Sequence, residues 1–286
     1  MSDDSFLDSL QVASEPIKRP FLGVIYGEGG TGKTGACMYA PDPFYVSVEA
    51  GTDWIPAPKF VDANGRSIIA QTSEQLFQMI GWLCKKANIE KIDKPVKTVI
   101  IDSLGFAERL FYNDIVLNHP FTDAKEPKPV KTIIDLGYDG QGFAMDYWHR
   151  LLTGCEQLRK RGFNVILITH AAWANENSEG GKTYKKKEMA LQVYGRHNVP
   201  ELLKRSSDFV YFMSSEIMTS TVGAGKWTKN LGTNSEAETV IHTRPTSLFY
   251  AKTRSIDGSN IPDAYSFTVE TRKEVCTQMF NDIINN

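Results

Sequence analysis

The sequence predicts an α/β fold with a mostly parallel β-sheet, helices on both faces and a C-terminal β-hairpin region. Short apolar segments rich in β-branched residues alternate with segments of helical periodicity, which is typical of a parallel sheet buried on both faces. A glycine-rich segment directly follows the first apolar strand, and the chain from Ile217 onward has the turn-rich pattern of β-hairpins.

Length and composition narrow the possibilities further. The 286 residues suit one large domain, so we expect an acidic tail over residues 1–18 and a single domain over residues 19–286. A formal net charge of −2 predicts no overall attraction to nucleic acid. The four cysteines and five histidines are scattered, which argues against disulfides and against a zinc site. Without a membrane-length apolar segment or a signal-peptide pattern, we expect a cytoplasmic protein.

The N-terminal half shows three predicted strands, each followed by a helix. The strands are expected at residues 21–26, 44–48 and 96–101. The helix after the first must be short because Pro41 and Pro43 end it. The other two helices are expected at residues 73–86, with an apolar face, and from the end of the third strand through Leu117.

The C-terminal half continues the alternation around two long loops. A loop rich in proline and lysine is expected at residues 118–139, and a second, rich in glycine, asparagine and lysine, at residues 175–187. The remaining elements are a helix at residues 143–161, strands at 163–169 and 208–213, hairpins from Ile217, and a helix from Arg272.

The glycine-rich segment carries a complete phosphate-binding P-loop, Gly27-Glu28-Gly29-Gly30-Thr31-Gly32-Lys33-Thr34. Its glycines let the backbone N–H groups surround an anion. Lys33 is the type of residue that reaches the β- and γ-phosphates, and Thr34 offers a hydroxyl to Mg²⁺. An ordinary glycine-rich turn is the alternative, but the preceding strand favours a site for ATP and Mg²⁺. Gly35 departs from the pattern because glycine inside a helix costs about 1 kcal/mol relative to alanine.

Three polar residues directly follow apolar strands. Asp102 follows residues 99–101 and is the candidate second Mg²⁺ group, or alternatively a cap of the next helix. Glu49 ends another strand and is the candidate general base, since Ser103 stands where many ATPases have a glutamate; a loop glutamate is the alternative. His170 would contact the γ-phosphate or the attacking water, or only nearby backbone. Parallel strands bring these ends to one sheet edge.

Together these residues resemble the RecA-like ATPase core, and within it the phage-encoded RecA-like ATPases linked to single-strand annealing and recombination. The resemblance covers most of residues 20–270 and is carried by residues 26–34, 44–52, 99–105, 165–171, 199–204, 207–210 and 250–254. It implies a RecA-like P-loop fold and an ATPase stimulated by DNA in a phage-infected bacterial host.

The resemblance also implies a role for each site residue. Lys33 and Thr34 correspond to the phosphate and Mg²⁺ ligands, and Asp102 to the second group on the metal side. Glu49 corresponds to the catalytic glutamate. His170 lies where RecA-like proteins have a γ-phosphate sensor, commonly a glutamine.

Lys252 and Arg254 resemble a Lys-x-Arg pair on a C-terminal strand of ring-forming and filament-forming relatives. In those relatives the two cations reach the γ-phosphate bound by a neighbouring subunit. The resemblance therefore implies a homo-oligomer, either ring or filament, while a solvated hairpin is the alternative. Arginine and lysine supplied in this way would stabilise charge on the phosphoryl oxygens.

A single-stranded DNA surface is predicted in the loop at residues 171–187. Its candidate residues are two aromatic side chains that would stack on bases and four lysines that would attract phosphates, namely Trp173, Lys182, Tyr184, Lys185, Lys186 and Lys187. The earlier loop holds Lys125, Lys128 and Lys131 among prolines. A solvated basic face is the alternative for both loops.

Several functions remain open from the sequence alone. The first is an ATP-dependent protein that acts on single-stranded DNA in recombination, annealing or repair, with a single-strand-binding protein as a further candidate partner. The alternatives are a RecA-type helicase or motor, a small-molecule kinase, and a nucleotide-regulated assembly protein with slow turnover. A kinase usually carries an arginine-rich lid, and the sequence shows no such cluster.

Overall fold

The computed structural model describes residues 18–122, 125–177, 181–195, 197–216, 219–222, 229–232, 238–254 and 261–285. The predicted tail at residues 1–18 therefore lies almost entirely outside the described residues. The strands are β1 (Leu22–Gly27), β2 (Pro43–Ser47), β3 (Thr98–Asp102), β4 (Asn164–Asn177), β5 (Thr183–Met189), β6 (Val193–Tyr194), β7 (His197–Asn198), β8 (Phe209–Glu216), β9 (Thr219–Val222), β10 (Lys229–Gly232), β11 (Glu238–His242), β12 (Lys252–Thr253) and β13 (Ala264–Phe267).

Seven α-helices accompany these strands in the described part of the chain. They are α1 (Lys33–Cys37), α2 (Ser73–Leu83), α3 (Lys86–Ile89), α4 (Leu104–Asn118), α5 (Gly137–Lys160), α6 (Val199–Ser206) and α7 (Arg272–Asn285), and a 3-10 helix (Ile133–Leu136) precedes α5. None of them is long and apolar enough to cross a membrane.

Five parallel strands form the centre of the main sheet in the order β8-β1-β4-β3-β2. On one side β11 and β13 extend the sheet with antiparallel pairing, and β12 adds to β8. Because the central strands are parallel, their carboxyl ends share one edge, where ligands bind in sheets of this kind. This edge carries the P-loop after β1 and Asp102 at the end of β3.

The core lies on both faces of the sheet. Helices α2, α4, α5 and α6 pack their apolar residues on one face, around Trp148 and Phe111, and α1 and α7 cover the other face, around Tyr211 and Phe280. Burial of aliphatic and aromatic side chains in this way is the main stabilising contribution to a layered fold. The predicted architecture, with a mostly parallel sheet, helices on both faces and a β-rich C-terminal region, is confirmed.

The predicted loop at residues 175–187 is wrong, because most of it forms a β-hairpin. Strand β4 continues past His170 to Asn177 and pairs antiparallel with β5. Charged pairs such as Lys186 with Glu176, at 3.4 Å, lie between the two strands. Cross-strand ion pairing of this kind supports a strand without the apolar alternation that identifies strands in sequence.

One helix begins earlier than predicted, and another helix was not predicted. Helix α5 begins at Gly137, six residues before the predicted start. Helix α6 was not predicted, although it carries a local signal: the Asn198 side chain caps it by accepting from the Glu201 N–H at 3.0 Å, and Pro200 lies in its first turn.

Glu108 on α4 is a buried carboxyl that provides a test of the packing between α4 and the segment after β5. The backbone N–H of Gln192 donates to its Oε1 at 2.8 Å. Burial nevertheless raises the pKa of Glu108 from 4.5 to about 7. The folded state therefore favours the protonated form, and its stability falls as the pH rises from about 4.5 through about 7.

We predict that Glu108→Gln removes this loss, because glutamine keeps the acceptor for Gln192 and has no charge to bury. Above pH 8 the variant should have a free energy of unfolding about 2–3 kcal/mol higher than the wild type, and near pH 4.5 the two should be equal. Urea unfolding at both pH values measures this difference. The exposed Glu274→Gln on α7 is the control, and an equal effect in both variants would contradict the assignment to Glu108.

Candidate active site

The P-loop joins the buried strand β1 to the short helix α1. Gly30 and Gly32 have φ angles of 80° and 84°, in the left-handed region that glycine adopts without strain. Gly27 lies so close to β8 that a Cβ there would be 2.1 Å from the Met213 carbonyl oxygen. The loop is therefore held against the sheet, and larger residues at these glycines would disrupt it.

Lys33 is buried, with 6% of its surface exposed, and its Nζ donates to the carbonyl oxygens of Gly27 at 3.0 Å and Glu28 at 2.7 Å. Burial lowers the pKa of Lys33, while the carboxylates of Asp102 and Glu49 act in the opposite direction. The ammonium group is thus kept inside the loop, where phosphate oxygens would be stronger acceptors than the two carbonyls.

Thr34 and Asp102 form the contact on which the metal assignment depends. The Thr34 hydroxyl donates to Asp102 Oδ2 at 2.6 Å. Asp102 is 2% exposed, and its Oδ1 has no hydrogen-bond partner within the described residues. Burial is the main reason why the pKa of Asp102 is raised to about 6. Asp102 does not cap α4, since Ser103 occupies the N-cap position, and the cap alternative is thereby excluded.

These two oxygen groups fit Mg²⁺. The ion prefers oxygen ligands and is commonly held by one or two carboxylates together with substrate phosphates. In the described part of the chain, no group of three or more His, Cys, Asp or Glu residues could hold a metal by itself. The donor set of Thr34 and Asp102 therefore suits an ion that arrives with a triphosphate.

Glu49 and His170 lie at the same edge. The backbone N–H of Glu49 donates to the Asp102 carbonyl at 3.3 Å, and His170 pairs in register with Gly27. Burial raises the pKa of Glu49, while the Ser103 hydroxyl lowers it. Burial and the Lys33 charge lower the pKa of His170. The side chain of His170 makes no hydrogen bond to other described residues, which disfavours a purely backbone-binding role.

Arg109 is a site residue that the sequence analysis missed. It is exposed on α4, two helical turns after Asp102, with its guanidinium 4.8 Å from the centroid of the Phe106 ring. Its positive charge lowers the pKa of both Glu49 and His170. Arg109 supplies a second cation near these two residues.

The β4–β5 hairpin carries all six predicted DNA residues, but not all are accessible. Trp173 is 57% exposed, and Lys182, Tyr184 and Lys185 are exposed near the tip. In the other loop, Lys125, Lys128 and Lys131 are also exposed. Lys186 is instead largely buried and pairs with Glu176.

Lys187 joins the hairpin to the P-loop. Its ammonium group forms an ion pair with Glu28 and lies 4.1 Å from the centroid of the Trp173 ring. Only 13% of its side chain is exposed. The hydroxyl of Tyr26, just before the P-loop, donates to the Tyr250 carbonyl oxygen at 2.6 Å and lies 3.5 Å from the Lys187 carbonyl oxygen. These contacts bind Lys187 inside the protein rather than presenting it to DNA.

Lys252 and Arg254 lie away from Lys33, beside the amino-terminal end of β8. Lys252 Nζ donates to the carbonyl oxygens of Lys204 at 2.6 Å and Ser207 at 2.8 Å, at the end of α6. Arg254 lies 3.4 Å from the Asp208 carboxylate. The structure does not bring the pair to its own nucleotide edge, and a role in a neighbouring subunit's site stays a prediction.

Comparison with known proteins identifies a family over most of the chain. The sequence model of a family described as "AAA domain" matches residues 19–255. A SPbeta prophage-derived uncharacterized protein, YorG, of Bacillus subtilis (strain 168) is 26% identical over 215 residues, which are 75% of this chain. The match spans 57% of that relative's own length.

Two solved archaeal structures resemble the chain at low identity. The flagellar accessory protein FlaH of Methanocaldococcus jannaschii is 13% identical with a TM-score of 0.37, over 94% of this chain and 92% of that one. A KaiC-like protein of Pyrococcus horikoshii OT3 is 15% identical with a TM-score of 0.37, over 88% and 86% of the two chains.

We predict that Glu49→Gln retains ATP binding and lowers ATP turnover by about 100-fold or more, because glutamine cannot accept a proton from the attacking water. Phosphate release at saturating ATP measures turnover, and calorimetry measures binding. The exposed Glu90→Gln, directly after α3, should behave as the wild type. Normal turnover of the Glu49 variant would show that another group activates the water.

Proposed function

This chain belongs to the AAA domain family, and we propose that it is an ATPase that acts on single-stranded DNA in phage-type recombination, annealing or repair. The observation that carries the ATPase part is the contact of Thr34 with the buried Asp102 at 2.6 Å, directly beside Lys33. This arrangement provides a hydroxyl, a carboxylate and an ammonium group for a metal-bound triphosphate.

Each residue at this edge has a separate proposed role in ATP hydrolysis. Thr34 and Asp102 would hold Mg²⁺, which neutralises phosphate charge when bound. Lys33 exchanges its two carbonyl acceptors for phosphate oxygens and stays fixed inside the loop. Glu49 orients the attacking water and accepts its proton, aided by a pKa that burial raises above that of an exposed glutamate. Arg109, whose charge acts on both Glu49 and His170, would stabilise negative charge that develops on the phosphoryl oxygens, and His170 would contact the γ-phosphate.

The hairpin supports the DNA part of the proposal. Strand β4 extends seven residues past His170, beyond the edge that holds the P-loop, and exposes Trp173. The paired strand β5 exposes Tyr184 and Lys185. Aromatic rings stack on bases of any sequence, and lysines attract the phosphate backbone. The match to a prophage-derived protein supports the phage setting.

The ion pair between Lys187 and Glu28 links the two halves of this function. A triphosphate brings several negative charges to the P-loop, and these compete with Glu28 for the ammonium group of Lys187. Because Lys187 also contacts the Trp173 ring, a change in its partner alters the support of an exposed stacking residue. Nucleotide state and DNA binding are thereby coupled through one side chain.

A nucleotide-regulated assembly protein with slow turnover is the second candidate. It is favoured by the contacts of Lys252 and Arg254, which bind carbonyl and carboxylate groups of their own subunit. Cations held in this way are not available to a neighbouring active site unless these contacts break. Turnover that stays slow with and without single-stranded DNA would favour this candidate.

We predict that Lys185→Ala weakens binding of an oligothymidine strand and reduces the salt slope of its affinity by about 0.7, the value for one lost phosphate contact. Lys185 is exposed and forms no ion pair with the described residues. Fluorescence anisotropy at several salt concentrations measures the slope. The exposed Lys160→Ala, at the end of α5 near the opposite sheet edge, is the matched control. Equal slopes for the wild type and both variants would show that Lys185 does not contact DNA and that this part of the hairpin is only a solvated surface.

A further inference from the structure

Two side chains beside α1 are not used by the site described above. Trp54 is 62% exposed, and its ring lies 3.2 Å from the position of a Cβ at Gly35. The Arg272 guanidinium lies 3.2 Å from the same position and 3.6 Å from that of a Cβ at Gly32. The two side chains therefore converge on the P-loop helix, and their approach explains why a glycine occupies a helical position at residue 35.

The Arg272 guanidinium lies 5.8 Å from the centroid of the Phe267 ring, a contact that leaves its N–H groups without an acceptor there. The Nε of Arg272 is buried without a hydrogen-bond partner, and Arg272 forms no ion pair with the described residues. The ring of Trp54 stacks on no other ring or cation in the described part of the chain. A buried guanidinium N–H without an acceptor costs free energy, and so does a large exposed aromatic surface. Both features are typical of a ligand site.

The direction of a bound triphosphate brings its nucleoside end toward this pair. Lys33 and Thr34 take the β- and γ-phosphates and the metal, while the loop backbone surrounds the α- and β-phosphates. Asp102 and Glu49 approach from β3 and β2, on one side of β1, so the γ-phosphate points toward them. Arg272 begins α7, which packs on α1 from the other side, next to β8 and β13. The nucleoside would therefore leave on that side, past Gly35, which the Trp54 ring also reaches from the segment after β2.

We propose that Trp54 and Arg272 form the nucleoside subsite of the P-loop, with the indole stacked on a purine base and the guanidinium bound to the α-phosphate. This inference rests on the proposed function, because it concerns the other end of the same nucleotide. An indole provides a large rigid face for a base, and a guanidinium provides paired donors for phosphate oxygens. Arg272 lies outside residues 19–255, so the family match does not include it.

Comparison of ATP with inorganic tripolyphosphate tests the stacking role. Trp54→Ala should raise the Kd for ATP by about 5- to 150-fold and leave the Kd for tripolyphosphate unchanged, since the latter has no base. Trp54→Phe should restore most of the ATP affinity. Tyr194→Ala removes an exposed aromatic ring on β6, outside both proposed sites, and should change neither Kd. Because Trp54 is largely exposed, its truncation leaves no buried cavity, and equal melting temperatures would verify the fold.

Replacement of Arg272 should change the Kd values for ATP and tripolyphosphate in a different pattern. Arg272→Ala should weaken both ATP and tripolyphosphate by about tenfold or more, because it removes a phosphate contact.

Several results would overturn the inference. An unchanged Kd for ATP in Trp54→Ala, or equal losses for ATP and tripolyphosphate in that variant, would exclude base stacking. Unchanged affinities in Arg272→Ala would exclude the phosphate contact. If the wild type binds neither compound, the proposed function fails and this inference fails with it. Normal binding by the wild type together with unchanged variants would overturn only the nucleoside subsite.

Discussion

The contact between the Thr34 hydroxyl and the buried Asp102 carboxylate is the interaction on which the rest of the site depends. Its 2.6 Å distance joins the start of α1 to the end of β3, across the intervening strand β4. Parallel pairing of β1 with β4 and of β4 with β3 fixes this separation. The same pairing puts His170 beside Gly27 and Glu49 beside Asp102. A single register thus brings together the groups proposed to bind a metal-bound triphosphate.

Burial shifts the pKa values of the ionisable groups in this site. Desolvation raises the pKa of Asp102 to about 6 and raises that of Glu49, whereas it lowers the pKa of Lys33 and His170. Each shift means that the protein alone stabilises the charged form less well than water does. A triphosphate with Mg²⁺ would supply counter-charges to Lys33 and Asp102, and these attractions would offset the cost of desolvation. The site is therefore better matched to the occupied state.

Much of this arrangement could be predicted from the sequence, because local patterns encode it. The P-loop is a contiguous motif, and apolar runs that end in Asp102, Glu49 and His170 show which residues reach the sheet edge. The hairpin was missed since Lys186 and Glu176 support it by cross-strand charge pairing, a relation between distant positions that has no local period. Arg109, the Lys187–Glu28 pair and the convergence of Trp54 and Arg272 on Gly35 likewise depend on tertiary contacts between separated segments.

Titration calorimetry of ATP with Mg²⁺ against the wild type and Lys33→Ala tests the central claim most directly. The account predicts that the wild type binds with a requirement for Mg²⁺, and that Lys33→Ala loses detectable binding because its buried ammonium group faces the phosphates. Equal affinity in the two proteins, or binding that is indifferent to Mg²⁺, would contradict the assignment of Lys33, Thr34 and Asp102 as the nucleotide site.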